Sequence, residues 1–141
     1  MNDLERMHIE HACARLLARY ALCLDTGAYD EFVGLFAADA VWTMQNTGPL
    51  RGHAAIRDYL TRRNPATRSR HVITNIVVEV SDADHAASRS YTTAYHYVGS
   101  EAVPPLHGPG FIAEARDTFR RTAEGWRIAT REMTVVFKHQ E

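Results

Sequence analysis

The pattern of apolar residues changes once along this chain, near Pro65, and that change constrains the fold more than any other feature. Before Pro65, apolar residues recur at steps of three and four, which is the spacing of amphipathic helices. After Pro65, long runs rich in Val, Ile, Thr and Tyr are separated by short turn sequences, which is typical of strands. Helices followed by strands, rather than alternating with them, predict an α+β domain with a mainly antiparallel sheet.

The first helix is predicted to end near Asp25. Asn2 and Glu5 have the spacing of a capping box at its start, and Gly27 suits the left-handed conformation that commonly ends a helix. The other elements predicted before Pro65 are a helix over residues 28–36, a strand over 40–44 and a helix over 54–61.

Four strands are predicted after Pro65, and the one that starts at His71 has two unlike faces. Alternation places His71, Ile73, Asn75 and Val77 on one face, whose mixture of polar and apolar groups is expected where a sheet lines a pocket. The strands are predicted over residues 71–80, 87–98, 111–121 and 126–137, with turns at 82–84 and 122–125.

Size and charge narrow the class of protein. The chain has 141 residues, enough for one domain over residues 1–141, and its net charge of −1 argues against a nucleic-acid partner. No stretch has the ~20 apolar residues of a membrane span, and the first residues lack the apolar core of a signal peptide, so we expect a cytoplasmic protein.

Cys13 and Cys23 lie ten positions apart in one helix, too far to pair, and are interpreted as buried apolar residues.

Three residues are candidates for chemistry, and each also has a structural interpretation. Asp25 faces the unfavourable end of a helix dipole, which predicts a compensating partner. The structural interpretation is that Asp25 only hydrogen-bonds the turn before Gly27. His71 can act as a base, although a lone histidine is more often structural. Tyr20 precedes Asp25 by five residues, which places them ~140° apart on an ideal helix, so they share a pocket only if the helix ends between them.

Other chemistry-bearing patterns have less support. His8, Glu10 and His11 do not have the spacing of a zinc peptidase, so no metal is expected. Nucleotide-binding glycine loops and serine-hydrolase elbows are absent from the sequence, and no cofactor is expected. One cluster of arginines either attracts an anionic substrate or keeps the surface soluble. Its members are Arg57, Arg62, Arg63, Arg68 and Arg70.

Nearly the whole chain resembles the SnoaL-like branch of the NTF2-like superfamily, which includes scytalone dehydratase, bile-acid 7α-dehydratase and lindane dehydrochlorinase. The resemblance implies an NTF2-like cone, in which N-terminal helices pack on a strongly curved mixed or antiparallel sheet. It is carried, in order, by ARYALCLDTGAYDEFVGLFAADAVW, GHAAIRDYL, RHVITNIVVEV and DTFRRTAEGWRIATRE.

The resemblance also implies a set of site residues. Asp25 and His71 match the Asp and His pair of the dehydratase-like branch, and Tyr20 matches a tyrosine five residues before that aspartate in the bile-acid enzyme. Ketosteroid isomerases are similar near Tyr20, but their catalytic acid has no counterpart in residues 41–44.

Several family members also place an arginine from a late strand in the pocket. Arg121, Arg127 and Arg131 are the candidates in this chain. Alternation puts Arg127 and Arg131 on one face of the last strand and Arg121 apart from them, and we expect Arg131 to face the pocket.

These matches imply a cofactor-independent lyase of the dehydratase type, or a related isomerase, acting on a small, mostly apolar cyclic hydroxy or carbonyl compound. In this hypothesis His71 is the general base, Asp25 orients it and Tyr20 donates a hydrogen bond. The alternative is a non-catalytic small-molecule-binding or accessory subunit, like the small subunit of aromatic-ring dioxygenases. The family resemblance further implies a homodimer or homotrimer.

Overall fold

Helices precede most of the strands, as the sequence predicts. The computed structural model of the chain describes residues 1–140. The helices are α1 (Asp3–Thr26), α2 (Tyr29–Gly34) and α3 (Gly52–Thr61). The strands are β1 (Phe36–Met44), β2 (Gly48–Arg51), β3 (Thr67–Val80), β4 (His85–Val98), β5 (Phe111–Thr122) and β6 (Gly125–Lys138).

The strands form one six-stranded sheet in the order β2-β1-β6-β5-β4-β3. β1 and β6 run parallel, and every other neighbouring pair is antiparallel. α1 packs on β3 and β6, and α3 packs on β1, so the helices cover one face of the sheet. This mixed sheet with its N-terminal helices is the α+β, NTF2-like cone that the sequence predicts.

The ends of α1 have the predicted caps. The Asn2 side chain accepts from the Glu5 backbone N–H, and the Glu5 side chain accepts from the Asn2 backbone N–H. Gly27 adopts the left-handed conformation, with φ 75°, and its N–H donates to the carbonyl of Cys23. The helix therefore continues one residue past Asp25.

Two predicted strand boundaries are wrong, and one further strand has no counterpart in the sequence predictions. β1 begins at Phe36, inside the range predicted as helix, because α2 stops at Gly34, a weak helix former. β2 was not predicted, since glycine and proline at positions 48 and 49 are poor strand residues and only pairing with β1 makes them extended. β3 begins at Thr67, so His71 lies inside the strand rather than at its start.

A bulge in β3 changes which residues share a face with His71. Thr74 pairs with Tyr91 but Val77 pairs with Arg89, so β3 contains one extra residue between these pairs. Asn75 lies in this bulge with φ 54°, a conformation that asparagine tolerates better than most residues. The prediction that Asn75 and Val77 face the same side as His71 is therefore wrong.

A second bulge, in β6, separates two of the candidate arginines. Asp117 pairs with Arg131 and Phe119 pairs with Ile128, although these partners are three residues apart. Asp117 and Phe119 are both buried and two residues apart on β5, so Ile128 and Arg131 share the helix-covered face. Arg127 consequently does not share a face with Arg131, contrary to the prediction from simple alternation.

The core lies between α1 and the sheet and is rich in aromatic rings. Tyr20, Phe32, Phe36 and Trp42 contact one another with ring centroids 4.9–6.3 Å apart, and each is at most 2% exposed. Both cysteines are buried and unpaired, as predicted. Among residues 1–140, no helix is long and apolar enough to cross a lipid bilayer.

Candidate active site

Asp25 and His71 are in direct contact. One carboxylate oxygen of Asp25, Oδ1, lies 2.5 Å from His71 Nδ1 and accepts a hydrogen bond from the Ser69 hydroxyl at 2.8 Å. The other oxygen, Oδ2, accepts the His71 backbone N–H at 2.8 Å. The side chains of Asp25 and His71 are only 6% and 7% exposed. The last turn of α1 and the first half of β3 thus form a buried Asp–His pair.

These hydrogen bonds keep Asp25 ionised. Burial alone would raise the pKa of the Asp25 carboxyl, but the bonds from the His71 side chain, the His71 backbone and Ser69 outweigh it and hold the pKa below its ordinary value. They also compensate the unfavourable position of a carboxylate at a helix C-terminus. Its three hydrogen-bond donors therefore explain how Asp25 is tolerated as a carboxylate at the end of α1.

The ionised carboxylate determines which nitrogen of neutral His71 carries the proton. A carboxylate can only accept hydrogen bonds, so His71 Nδ1 must be the donor in the 2.5 Å contact. Nε2 is then the nitrogen with a free lone pair, and no residue within 1–140 hydrogen-bonds to it. A buried imidazole in this tautomer is suited to accept a proton at Nε2.

His96 is a neighbour of the pair that sequence reasoning did not place. Its ring contacts the His71 ring edge-on with centroids 5.5 Å apart, and Phe111 covers its other side at 5.7 Å. Burial, then the charges of His71 and Arg63, lower the pKa of His96 despite the opposite effect of Asp25. His96 is therefore neutral at physiological pH.

Tyr20 belongs to the aromatic core and makes no direct contact with Asp25 or His71 in the described chain. α1 does not end between Tyr20 and Asp25, so the two side chains leave the helix in different directions. The Tyr20 hydroxyl donates to the sulfur of Met133 at 3.8 Å, which is a weak acceptor. Burial raises the pKa of Tyr20, and the nearby Arg131 offsets this only in part, so the phenol remains protonated.

Arg131 is the one candidate arginine that enters the interior, where it forms a buried ion pair. Its Nη1 donates to both carboxylate oxygens of Asp117 at 2.8 and 2.7 Å, and its guanidinium lies over the Tyr20 ring, 4.3 Å from the centroid. Arg131 is fully buried, and its Nε and Nη2 have no hydrogen-bond partner within residues 1–140. Arg121 instead pairs with Asp84 at the surface.

No metal-binding cluster is found in the part of the chain that the structure describes. There, no three His, Cys, Asp or Glu side chains lie close enough together to hold an ion.

Solved structures with the same fold share it over nearly their whole length. A Novosphingobium aromaticivorans protein proposed to be a scytalone dehydratase is 20% identical, with a TM-score of 0.82, covering 97% of this chain and 90% of that one. A hexachlorocyclohexane dehydrochlorinase, LinA type 2, is 16% identical, with a TM-score of 0.82 and coverage of 98% and 92%. A second N. aromaticivorans protein, proposed to be an aromatic ring hydroxylase, is 23% identical, with a TM-score of 0.78 and coverage of 93% and 91%. At these identities the likeness establishes the fold alone.

No curated protein matches the sequence significantly. The family model described as a SnoaL-like domain matches residues 5–132, which is most of the chain. With this match and the mixed sheet described above, the chain belongs to the SnoaL-like domain family of the NTF2-like superfamily.

Proposed function

We propose that this protein is a cofactor-independent lyase that eliminates water, or another leaving group, from a small, mostly apolar cyclic carbonyl compound. The observation that carries the proposal is the 2.5 Å contact between Asp25 and His71 Nδ1, which leaves Nε2 as a base. The family supports a small-molecule enzyme of the lyase or isomerase type. The particular reaction rests on the chemistry of the residues.

In the proposed reaction, neutral His71 acts as the general base. Its Nε2 removes a proton from the carbon next to a carbonyl group, and the C–H electron pair forms an enolate. The enolate then collapses to a conjugated double bond as the bond from the β-carbon to its hydroxyl oxygen breaks. The imidazolium returns the proton to the departing hydroxyl, which leaves as water, so His71 ends the cycle in its initial state.

Asp25 is proposed as the residue that orients His71 and stabilises its charged form. Because the carboxylate is ionised and accepts from Nδ1–H, it fixes the tautomer and offsets the positive charge that forms during proton abstraction. Ser69 and the His71 backbone hold the carboxylate in place through their own hydrogen bonds. This arrangement favours proton transfer without a metal or an organic cofactor.

Tyr20 and Arg131 are proposed as the deep wall of the site. The Tyr20 hydroxyl donates only to a weak sulfur acceptor, so a substrate oxygen would be a better partner for it. The Tyr20 side chain is almost fully buried, at 2% exposed, and its present partner Met133 is half-buried. Arg131 would act by holding the Tyr20 ring through its cation–π contact, and through the positive charge it supplies beneath the ring.

The test is an elimination assay on a panel of β-hydroxy ketones built on one to three fused rings. Elimination produces an enone, whose ultraviolet absorbance reports the rate directly. We expect His71→Gln to lower the rate by ~10²–10⁴-fold, the usual contribution of a general base, while the fold is retained. A His71→Gln variant with wild-type activity would remove the mechanism.

His85 provides a matched control. It also contacts an aspartate through Nδ1, with Asp82 Oδ1 at 3.0 Å, but both side chains are 60% exposed. Because this pair lies at the surface, His85→Gln should leave elimination unchanged. Equal losses in the two histidine variants would indicate a general effect of removing imidazole, not a role for the buried pair.

The alternative function, an accessory subunit, makes a different prediction about assembly. The sheet face that the helices leave uncovered exposes Val72, Val77 and Tyr91 by 45–57%, which suits contact with another protein surface. We propose that a second or third copy of this chain covers this face. Purification as a homo-oligomer would favour the enzyme, and co-purification with a large catalytic partner would favour the accessory subunit.

A further inference from the structure

The arginines within and just after α3 differ in their partners. Arg57 and Arg62 each form an ion pair with an exposed aspartate. Arg63 instead directs Nη1 to the backbone carbonyl of Leu24 at 3.3 Å and to the Tyr29 hydroxyl at 3.4 Å. Neither acceptor carries a formal charge, and within residues 1–140 no carboxylate lies in ion-pair distance of Arg63. In the described part of the chain, Arg63 is therefore a half-buried cation without a counter-ion.

Arg63 lies at the end of α1 that carries Asp25. Leu24 directly precedes Asp25, so the bond to its carbonyl holds the guanidinium at the last turn of α1. The charge of Arg63 also reaches His96, where it lowers the pKa together with burial and the charge of His71. His96 in turn contacts the His71 ring.

The charges at this end of the molecule are unevenly compensated. Asp25 receives three hydrogen bonds from Ser69 and His71, whereas Arg63 makes two long contacts with neutral oxygens. Its Nε and Nη2 make no hydrogen bond within the described residues. A partly desolvated cation that contacts only neutral oxygens has an unfavourable electrostatic energy. Such a cation favours an anionic oxygen ligand, which a planar guanidinium can bind at two points.

Tyr29 supplies a second donor at the same place. Its hydroxyl oxygen is the acceptor for Arg63, so its own proton is free to point toward a ligand. Tyr29 is half-buried and packs against the core, which fixes its ring. A guanidinium and a phenol that share one hydrogen bond can together hold one oxygen group.

A structural role for Arg63 is the simplest alternative. A basic side chain that bonds the last carbonyls of a helix stabilises its C-terminus and interacts favourably with the dipole. That role needs one donor for the Leu24 carbonyl. It does not explain why, within residues 1–140, this cation has no counter-ion.

We propose that Arg63 and Tyr29 form an oxyanion subsite that binds a carboxylate substituent of the substrate next to His71. As a statement about substrate, this rests on the function proposed above, and it narrows the substrate to cyclic compounds that carry a carboxylate. The subsite orients the ring so that the carbon to be deprotonated faces His71 Nε2.

The experiment uses benzoate as an anionic probe and benzamide as a neutral probe of similar shape. Binding is followed by the imidazole signals of His96 and His71 in ¹H–¹⁵N NMR spectra of the full chain. We expect benzoate to shift the His96 signals saturably and benzamide to bind more weakly. Equal affinity for the two probes would overturn the proposal.

Arg63→Gln is the decisive variant, because glutamine removes the positive charge while retaining a polar amide donor. We expect it to weaken benzoate binding about tenfold or more, which is the effect of losing one charge-assisted hydrogen bond. Arg62→Gln is the matched control, since Arg62 is 78% exposed and already paired, and it should bind benzoate as the wild type does. Unchanged binding in Arg63→Gln would show that Arg63 is only a helix cap.

Two further variants keep the subsite testable if Arg63→Gln does not fold, and separate ligand binding from elimination. If Arg63→Gln does not fold, Tyr29→Phe removes only a hydroxyl and should still weaken benzoate binding severalfold, and no effect in that variant would overturn the subsite. His71→Gln should keep benzoate binding while losing elimination. Binding that depends on Arg63 in a protein without elimination activity would therefore leave the subsite standing and refute the proposed chemistry.

Discussion

Two buried aspartates in this protein each hold a basic side chain, and their surroundings assign them different tasks. Asp117 lies deep in the core, where its partner Arg131 is fully buried beneath Tyr20. Asp25 lies at the end of α1, where its partner His71 is 7% exposed and keeps one nitrogen without a partner among residues 1–140. The deep pair contains no free base, whereas the pair at the helix end retains one at Nε2.

The comparison teaches that a buried ion pair is not by itself a sign of chemistry. Asp117 carries a raised pKa, because burial outweighs the opposing effect of Arg131. Asp25 carries a lowered pKa, because three donors outweigh burial. A carboxylate that stays ionised beside a free imidazole nitrogen can support proton transfer, and a sealed carboxylate–guanidinium pair contributes mainly to the fold.

The largest expected effect comes from breaking the deep pair. Asp117→Ala leaves the Arg131 charge buried and uncompensated, so the free energy of unfolding should fall by about 3–5 kcal/mol, measured by urea denaturation. The double variant Asp117→Leu, Arg131→Met removes both charges and should recover most of this loss. A double variant as unstable as Asp117→Ala would mean that the pair contributes more than the mutual compensation of its charges.

Breaking the pair at the helix end should cost less stability and more function. Asp25→Asn removes the charge from the bonds to His71 and Ser69, so the free energy of unfolding should fall by about 1.5–3 kcal/mol. The folded pKa of Asp25 is lowered, so the wild-type advantage should be complete above the ordinary pKa of 3.8 and be lost as the pH falls through the folded value. Denaturation curves of both proteins from pH 7 downward measure this, and a gap that persists at the lowest pH would contradict it.

Ser69 offers a smaller change within the same pair. Ser69→Ala removes one of the three donors to Asp25 and leaves the two from His71, so we expect a loss of about 1 kcal/mol of unfolding free energy. Elimination activity should decrease modestly rather than vanish, because His71 still contacts the carboxylate. A loss of activity as large as that of His71→Gln would assign Ser69 a direct role.

The smallest expected effect is a pH dependence that originates at His96. Its folded pKa lies below the ordinary 6.5, so the unfolded chain binds more protons in that window, and stability should decline as the pH falls from 6.5 toward the folded value. His96→Gln should remove this part of the slope in thermal unfolding curves recorded between pH 7 and 5. An unchanged slope would mean that His96 is not desolvated in solution.

Local sequence patterns predict the three helices and five of the six described strands, but not the register of the sheet. The capping box at Asn2 and the left-handed Gly27 follow from a few neighbouring residues, and both predictions are confirmed. The bulge at Asn75 depends on pairing between β3 and β4, which no local pattern encodes. Regular pairing from the turn between these strands would place His96 opposite Arg70 and would turn His71 to the other face of the sheet.

The same limit applies to the site. The contact between Asp25 and His71 was left open by the sequence, because it joins residues 46 positions apart. The bulge at Asn75 turns His71 and Ile76 to the same side of the sheet, and places His96 opposite Ser69 and beside His71. The bulge in β6 likewise separates Arg127 from Arg131. A single extra residue in a strand inverts every assignment beyond it, so alternation alone cannot identify the residues of this site.

The central claim, that Asp25 holds His71 with its proton on Nδ1 and a free base at Nε2, is tested most directly by ¹⁵N NMR of the His71 imidazole. The measurement is made at pH 8 on the wild type and on Asp25→Asn, with His71→Gln used to assign the signal. We predict a protonated Nδ1 with a strongly downfield proton and an unprotonated Nε2 in the wild type, and loss of this single tautomer in Asp25→Asn. A wild-type His71 protonated at Nε2, or an equal mixture of tautomers unaffected by Asp25→Asn, would contradict the account.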